Sequence, residues 1–136
     1  MIVCRKFIIF LLVLLIFSCA RFRTRTEIDD DLTSYLAKGE YTLALQKTDK
    51  FKEEEVYRKK DRVLYYLNKG MILHYQGDFK ASNEQLEIAE RTMEELFTRS
   101  ISNAVKSVMI NDNMLDYTGE VYDNLYVNIF KALNYI

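Results

Sequence analysis

Proline is absent from these 136 residues and glycine occurs only four times, so the two strongest helix breakers are almost missing. That composition predicts an all-helical chain. Tryptophan is also absent, and His74 is the only histidine. With one imidazole, and no thiol left over on the processing argued below, zinc sites and Ser-His or Cys-His triads lack their parts. No glycine-rich loop is present to cradle phosphate, and neither Ser100 nor Ser102 has a base nearby in sequence. A basic excess is missing too: 19 basic against 20 acidic residues leave a net charge of −1, without the footprint of a nucleic-acid binder. These absences point away from an enzyme, a metal site and a small-molecule cofactor.

The chain opens with a targeting pattern. Arg5 and Lys6 precede an uncharged apolar run of eleven residues, 7–17. That is short of the roughly 20 residues a spanning helix needs. It matches the charged start and apolar middle of a signal peptide. The run closes on Ile16-Phe17-Ser18-Cys19, which resembles a bacterial lipobox: aliphatic at −3, small at −1, then cysteine. Phe17 at −2 is larger than that motif usually carries. In such a motif the cysteine thiol takes a diacylglyceryl group, and cleavage frees its amine for a further acyl chain. Two or three chains, at about 0.8 kcal/mol per buried methylene, anchor a protein stably. An ordinary secretory signal and an uncleaved anchor are the other readings of the same run.

On the lipoprotein reading, residues 1–18 leave as signal and take Cys4 with them. Residues 19–26 become a lipidated, basic tether carrying Arg21, Arg23 and Arg25. The mature chain then has no free thiol, and its charge becomes −3, 17 basic against 20 acidic. Ala20 rather than aspartate follows the cysteine. By the sorting rule for bacterial lipoproteins, that favours the periplasmic face of the outer membrane over the inner membrane.

Residues 27–136 read as one helical domain organised around a hairpin, residues 61–97. Leu64, Leu67, Met71 and Tyr75 recur at helical spacing on its first arm. Phe79, Ser82, Leu86, Ala89, Met93 and Leu96 do so on its second, opposite a charged face of Lys80, Glu84, Glu87, Arg91 and Glu94. Gly77 suits a helix end at positive φ, and Asp78 can cap the helix that follows. A weaker pair precedes it. Asp29-Asp30-Asp31 suits a helix start, Leu32, Tyr35 and Leu36 follow, and Lys38-Gly39-Glu40 separates them from Tyr41, Ala44 and Leu45. The charged stretch 51–60 reads as a solvated linker or a helix start.

Gly39-Glu40-Tyr41 and Gly77-Asp78-Phe79 are the same glycine–acid–aromatic turn, 38 residues apart. A helix-turn-helix unit at that period resembles tetratricopeptide-like repeats. Aligned on the second turn, Tyr66, Gly70, Leu73, Gly77, Ser82, Leu86 and Ala89 take the repeat's signature positions, with Lys69 where leucine is usual. The mature chain also resembles the amino-terminal part of a family of uncharacterised bacterial lipoproteins built from such repeats. Leu64-Tyr65-Tyr66-Leu67-Asn68-Lys69-Gly70-Met71 and Gly77-Asp78-Phe79 carry the likeness. So do Asn111-Asp112-Asn113, Tyr117-Thr118-Gly119-Glu120 and Lys131-Ala132-Leu133-Asn134-Tyr135. The resemblance implies antiparallel helical hairpins behind a lipoprotein signal peptide, in a chain truncated at its C-terminus.

In the last third, Ser102 suits the cap of a short helix through Ala104, Val105, Val108 and Met109, which Asn111-Asp112-Asn113 then breaks. That loop resembles a piece of a calcium loop but lacks its glycine and closing glutamate. Tyr122, Leu125, Tyr126, Ile129, Phe130, Leu133 and Ile136 trace one wide apolar stripe, expected to pack on the hairpin.

The functional expectation is a non-enzymatic, membrane-anchored repeat module binding an unknown envelope protein. Leu67, Met71, His74, Tyr75, Tyr122 and Tyr126 form the candidate partner surface. The alternative is an accessory regulator or structural subunit of cell-wall synthesis, recognising glycan through exposed tyrosines.

Overall fold

The computed structural model describes residues 25–104 and 116–136, and every regular element among them is helical. The signal segment, Cys19 and the loop Asn111-Asp112-Asn113 lie outside the described residues. Helix α1 spans Arg25–Ala37, α2 Tyr41–Glu53, α3 Arg62–Gln76, α4 Phe79–Ala104 and α5 Val121–Leu133, with one 3-10 turn at Lys59–Asp61 before α3. None of these helices is long and apolar enough to cross a membrane.

Local chemistry accounts for the central turn. Gly77 adopts φ +87°, a conformation side chains resist, and its N–H bonds the carbonyl of His74 while that of Asp78 reaches Leu73. The Asp78 carboxylate accepts from the Ala81 N–H at 3.1 Å and so caps α4. The two arms then lie antiparallel. Ala89 is fully buried where they meet, and the solvated face is as expected: Lys80, Glu84, Glu87, Arg91 and Glu94 are all exposed. Gly70 is needed for the close approach, because a Cβ there would sit 2.7 Å from Leu86 Cδ2.

Helix α3 departs from the expected single stripe because it lies in the middle of the stack. One face gives Tyr65 and Ile72 to a core shared with Ile28, Leu32, Ala44, Phe51 and Tyr57. Another gives Val63 and Leu67 to a core with Leu86, Ala89, Met93, Leu96 and Val127. Leu64 and Met71 are only half-buried and Tyr75 is exposed.

Three further expectations are corrected. Asp29-Asp30-Asp31 sits in the body of α1, which starts earlier, at Arg25. The charged stretch 51–60 is no mere linker: α2 continues to Glu53, and Phe51 and Tyr57 are buried, meeting edge to face. The chain doubles back between them, with the Val56 and Tyr57 amides both donating to the Phe51 carbonyl. No new helix begins at Ser102, since α4 runs unbroken past it to Ala104, and Val105, Val108 and Met109 lie outside the described residues.

A polar brace ties α2 to α3. Tyr65 donates to Asp49 at 2.8 Å, and the Lys69 ammonium reaches the same carboxylate oxygen at 2.6 Å and the Tyr65 hydroxyl at 3.2 Å. Burial pulls the Lys69 pKa down, but these hydrogen bonds and the Asp49 charge outweigh it and hold it above the usual lysine value.

Candidate functional site

The last helix is the feature that is incomplete as packing, and its geometry starts at residue 116. Asp116 pairs with Arg62 at 3.5 Å, and the Tyr117 amide donates to the Lys60 carbonyl, so the chain re-enters beside the start of α3. Tyr117 donates to Asp123; burial first, then that hydrogen bond, raises its pKa. The same carboxylate accepts from the Glu120 amide and closes a capping box on α5. Lys131 then pairs with Glu90 of α4 at 2.8 Å. Helix α5 therefore runs parallel to α3 and antiparallel to α4, along their groove.

Its far end is locked by side chains rather than by apolar bulk. Asn134, the residue after α5, is buried and donates from Nδ2 to Ser82 Oγ at 2.9 Å and to Asn83 Oδ1 at 2.7 Å. Ser82, itself fully buried, donates to the Gly70 carbonyl at 2.8 Å. Asn134 Oδ1 lies 2.6 Å from His74 Nδ1. With the amide turned this way the oxygen must accept, which makes Nδ1 the protonated nitrogen of His74. The His74 ring also meets Phe130 edge to face at 4.9 Å. One asparagine thus links the end of α5 to both arms of the hairpin, and buried polar groups so satisfied specify one arrangement.

What α5 buries is narrow. Val127 is 1% exposed, Phe130 and Lys131 are half-buried, and Asn134 completes that edge at helical spacing. The expected stripe faces the other way, and only Phe130 of its members turns inward. Tyr122, Leu125, Tyr126, Ile129 and Leu133 are between 43% and 60% exposed, and Ile136 is fully so. The physical reason is that Asn134 and Lys131 both have partners on the hairpin. Turning the stripe inward would bury apolar area but strand those groups.

The expected partner residues therefore divide. Leu67 is core, 7% exposed, because α3 is covered on that side by α4 and α5. Met71 is half-buried, and His74 is committed to the Asn134 lock. Tyr75 is half open beside the hairpin turn, stacked on Tyr41 at 6.1 Å. Tyr122 and Tyr126 share the open face of α5, and Leu125, Ile129 and Leu133 belong with them. Their periodicity was legible; which way it faces depends on Asn134, whose partners are 51 to 60 residues away.

Among the described residues, a concave feature elsewhere is a notch between α1 and α3, lined by Asp29, Tyr57, Asp61 and Asn68. It is large enough for one water molecule. Tyr57 donates no charge there: burial pushes its hydroxyl up to about 12, against a lowering by the bond from Asn68. No family model, curated protein or solved structure matches the chain.

Proposed function

We propose that this is a membrane-tethered helical-repeat protein, lipidated on Cys19, which holds a protein partner in the cell envelope through the outer face of α5. It acts by binding rather than catalysis. The observation that carries this is the open stripe of Tyr122, Leu125, Tyr126, Ile129 and Leu133 on a helix whose position is otherwise fixed. Contiguous apolar surface of this kind on a folded domain marks an interaction site, and exposed tyrosines suit one because they bring large area and little rotamer entropy.

The tetratricopeptide-like arrangement belongs to the same proposal. Two hairpins turn on the same glycine–acid–aromatic triplet, and α5 lies parallel to α3 as the first helix of a next repeat would. Gly70, Leu73, Ser82, Leu86 and Ala89 are buried at signature positions. Tethering rests on the Ile16-Phe17-Ser18-Cys19 motif and the basic residues after it.

Affinity capture from detergent-solubilised membranes tests the reading, comparing the full chain with Leu125→Glu. A partner held by the first and released by the second is expected. Capture indifferent to Leu125→Glu contradicts the assigned surface. Labelled palmitate should enter the wild type and not Cys19→Ser; equal labelling removes the lipid anchor from the account.

A further inference from the structure

We propose that the C-terminal end of α4, with Phe97 and Arg99, rests on the lipid surface that holds the chain. The inference rests on the Cys19 anchor proposed above and adds which end of the domain faces the membrane.

The helices gather several segments at one end. Ile28 and Asp29, early in α1, share a notch with Tyr57, Asp61 and Leu64 at the start of α3. Met93 and Leu96 of α4 share a core with Val63, so Leu96 is level with that same first turn. The chain re-enters there too, where the Tyr117 amide meets Lys60. Helix α4 then goes on: residues 97–104 carry it about 12 Å past that level. Phe97 is 64% exposed on this overhang, and Arg99 is exposed. The opposite end holds the turns at Gly39 and Gly77, with Tyr41 stacked on Tyr75. The 15 residues of α3 set the two ends about 22 Å apart.

The tether decides between the ends. Residues 19–24 join Cys19 to the start of α1 at Arg25, and they reach about 20 Å at full stretch. With the α1 end toward the lipid that reach is ample, and the α4 overhang points the same way. Inverted, the domain would raise the start of α1 by the length of α3, about 22 Å, beyond a stretched tether.

Charge selects the same end. Residues 96–104 carry Arg99 as their one charged group, and residues 19–26 carry Arg21, Arg23 and Arg25 with no acid. Arg58 and Lys59 are exposed beside the start of α3. Among the described residues, the acidic groups of α4 stop at Glu95, behind the overhang, and Glu53 and Glu54 close α2 beside the first turn of α3. The overhang therefore offers lipid an apolar ring and a cation, which suit the acyl boundary and an anionic head group.

Photo-crosslinking in membranes from cells expressing the full chain tests this, with benzoylphenylalanine in place of Phe97 or, at the far end, Tyr75. Labelled palmitate on the same chains reports the anchor independently. The expected product at Phe97 is the chain plus one phospholipid, and Tyr75 gives none. Arg99→Glu is expected to cut the Phe97 adduct at least about fivefold, because an attraction becomes a repulsion.

Equal lipid adducts at Phe97 and Tyr75 overturn the orientation. A protein product at Phe97 in place of lipid overturns the proposal and makes the α4 end a protein contact. No lipid adduct at Phe97, in a chain that carries palmitate, overturns it while the anchor stands. An adduct unmoved by Arg99→Glu removes Arg99 from the contact. A chain without palmitate removes the anchor, and this inference with it.

Discussion

Helices α3 and α5 lie side by side and parallel, yet they are held in opposite ways. Helix α3 carries a lysine, an arginine, a histidine and an asparagine, and is buried on two sides; its core residues are Val63, Tyr65, Leu67, Gly70, Ile72 and Leu73. Helix α5 also has two charged residues and is the more apolar, but Val127 is its single buried member. Apolarity does not decide which helix is inside. Position in the stack does, and for α5 the orientation is set by a lock of polar groups at Asn134. A mid-stack helix must offer two faces and can tolerate polar residues between them. A helix covered on one side needs one edge and a fixed rotation.

That contrast is broken most severely at the meeting of α3 and α4. Ala89→Arg would place a charge with no partner in the core shared by Val63, Leu67 and Met93. A loss of several kcal/mol, on the order of 3–5, is expected in chemical denaturation, a large share of a domain's stability. An unchanged unfolding midpoint would mean that the arms do not meet there.

Alkaline titration examines the opposite side of α3. The Tyr57 hydroxyl, raised to about 12 mainly by burial, prefers to stay protonated in the fold. Its contribution is whole below pH 10, where tyrosines of the unfolded chain begin to ionise, and is lost as pH rises through 12. Two units correspond to about 3 kcal/mol. In Tyr57→Phe the decline of stability above pH 10 should be shallower by about that amount. An identical decline in both chains would show that Tyr57 is not buried.

The lock on α5 is the next in size. Asn134→Ala leaves His74 Nδ1, Ser82 and Asn83 without their common partner, at roughly 1–3 kcal/mol. Hydrogen exchange should quicken through residues 121–133 while α3 and α4 keep their protection. Uniform acceleration would mean that α5 is no separable unit. A smaller effect is expected at Gly70→Ala, where overpacking against Leu86, roughly 1–3 kcal/mol, is offset in part by about 1 kcal/mol of better helix propensity.

Much of the hairpin was legible because its signals are local. Gly77 and Asp78 act within five residues of themselves, and the charged face of α4 repeats every turn. The double burial of α3 was not, since a periodic pattern finds one face and Tyr65 and Ile72 lie off it. Phe51 and Tyr57 were hidden by the seven charged residues around them at 52–60. The open face of α5 was visible as a stripe, but its direction was not. Six bulky apolar residues outweigh Val127 and Asn134 in any local count, and the groups that bind Asn134 are brought near only by the hairpin.

The central claim is that the two sides of α5 have different duties, the inner edge holding the helix and the outer face left for docking. Paired substitutions measured on dilute full-length chain test it most directly. Val127→Ala should lower stability by roughly 1–3 kcal/mol through the cavity it leaves, and Leu125→Ala should stay within about 0.5 kcal/mol of wild type. If Leu125→Ala proves as costly as Val127→Ala under those conditions, the outer face is packed within the chain and the account is wrong.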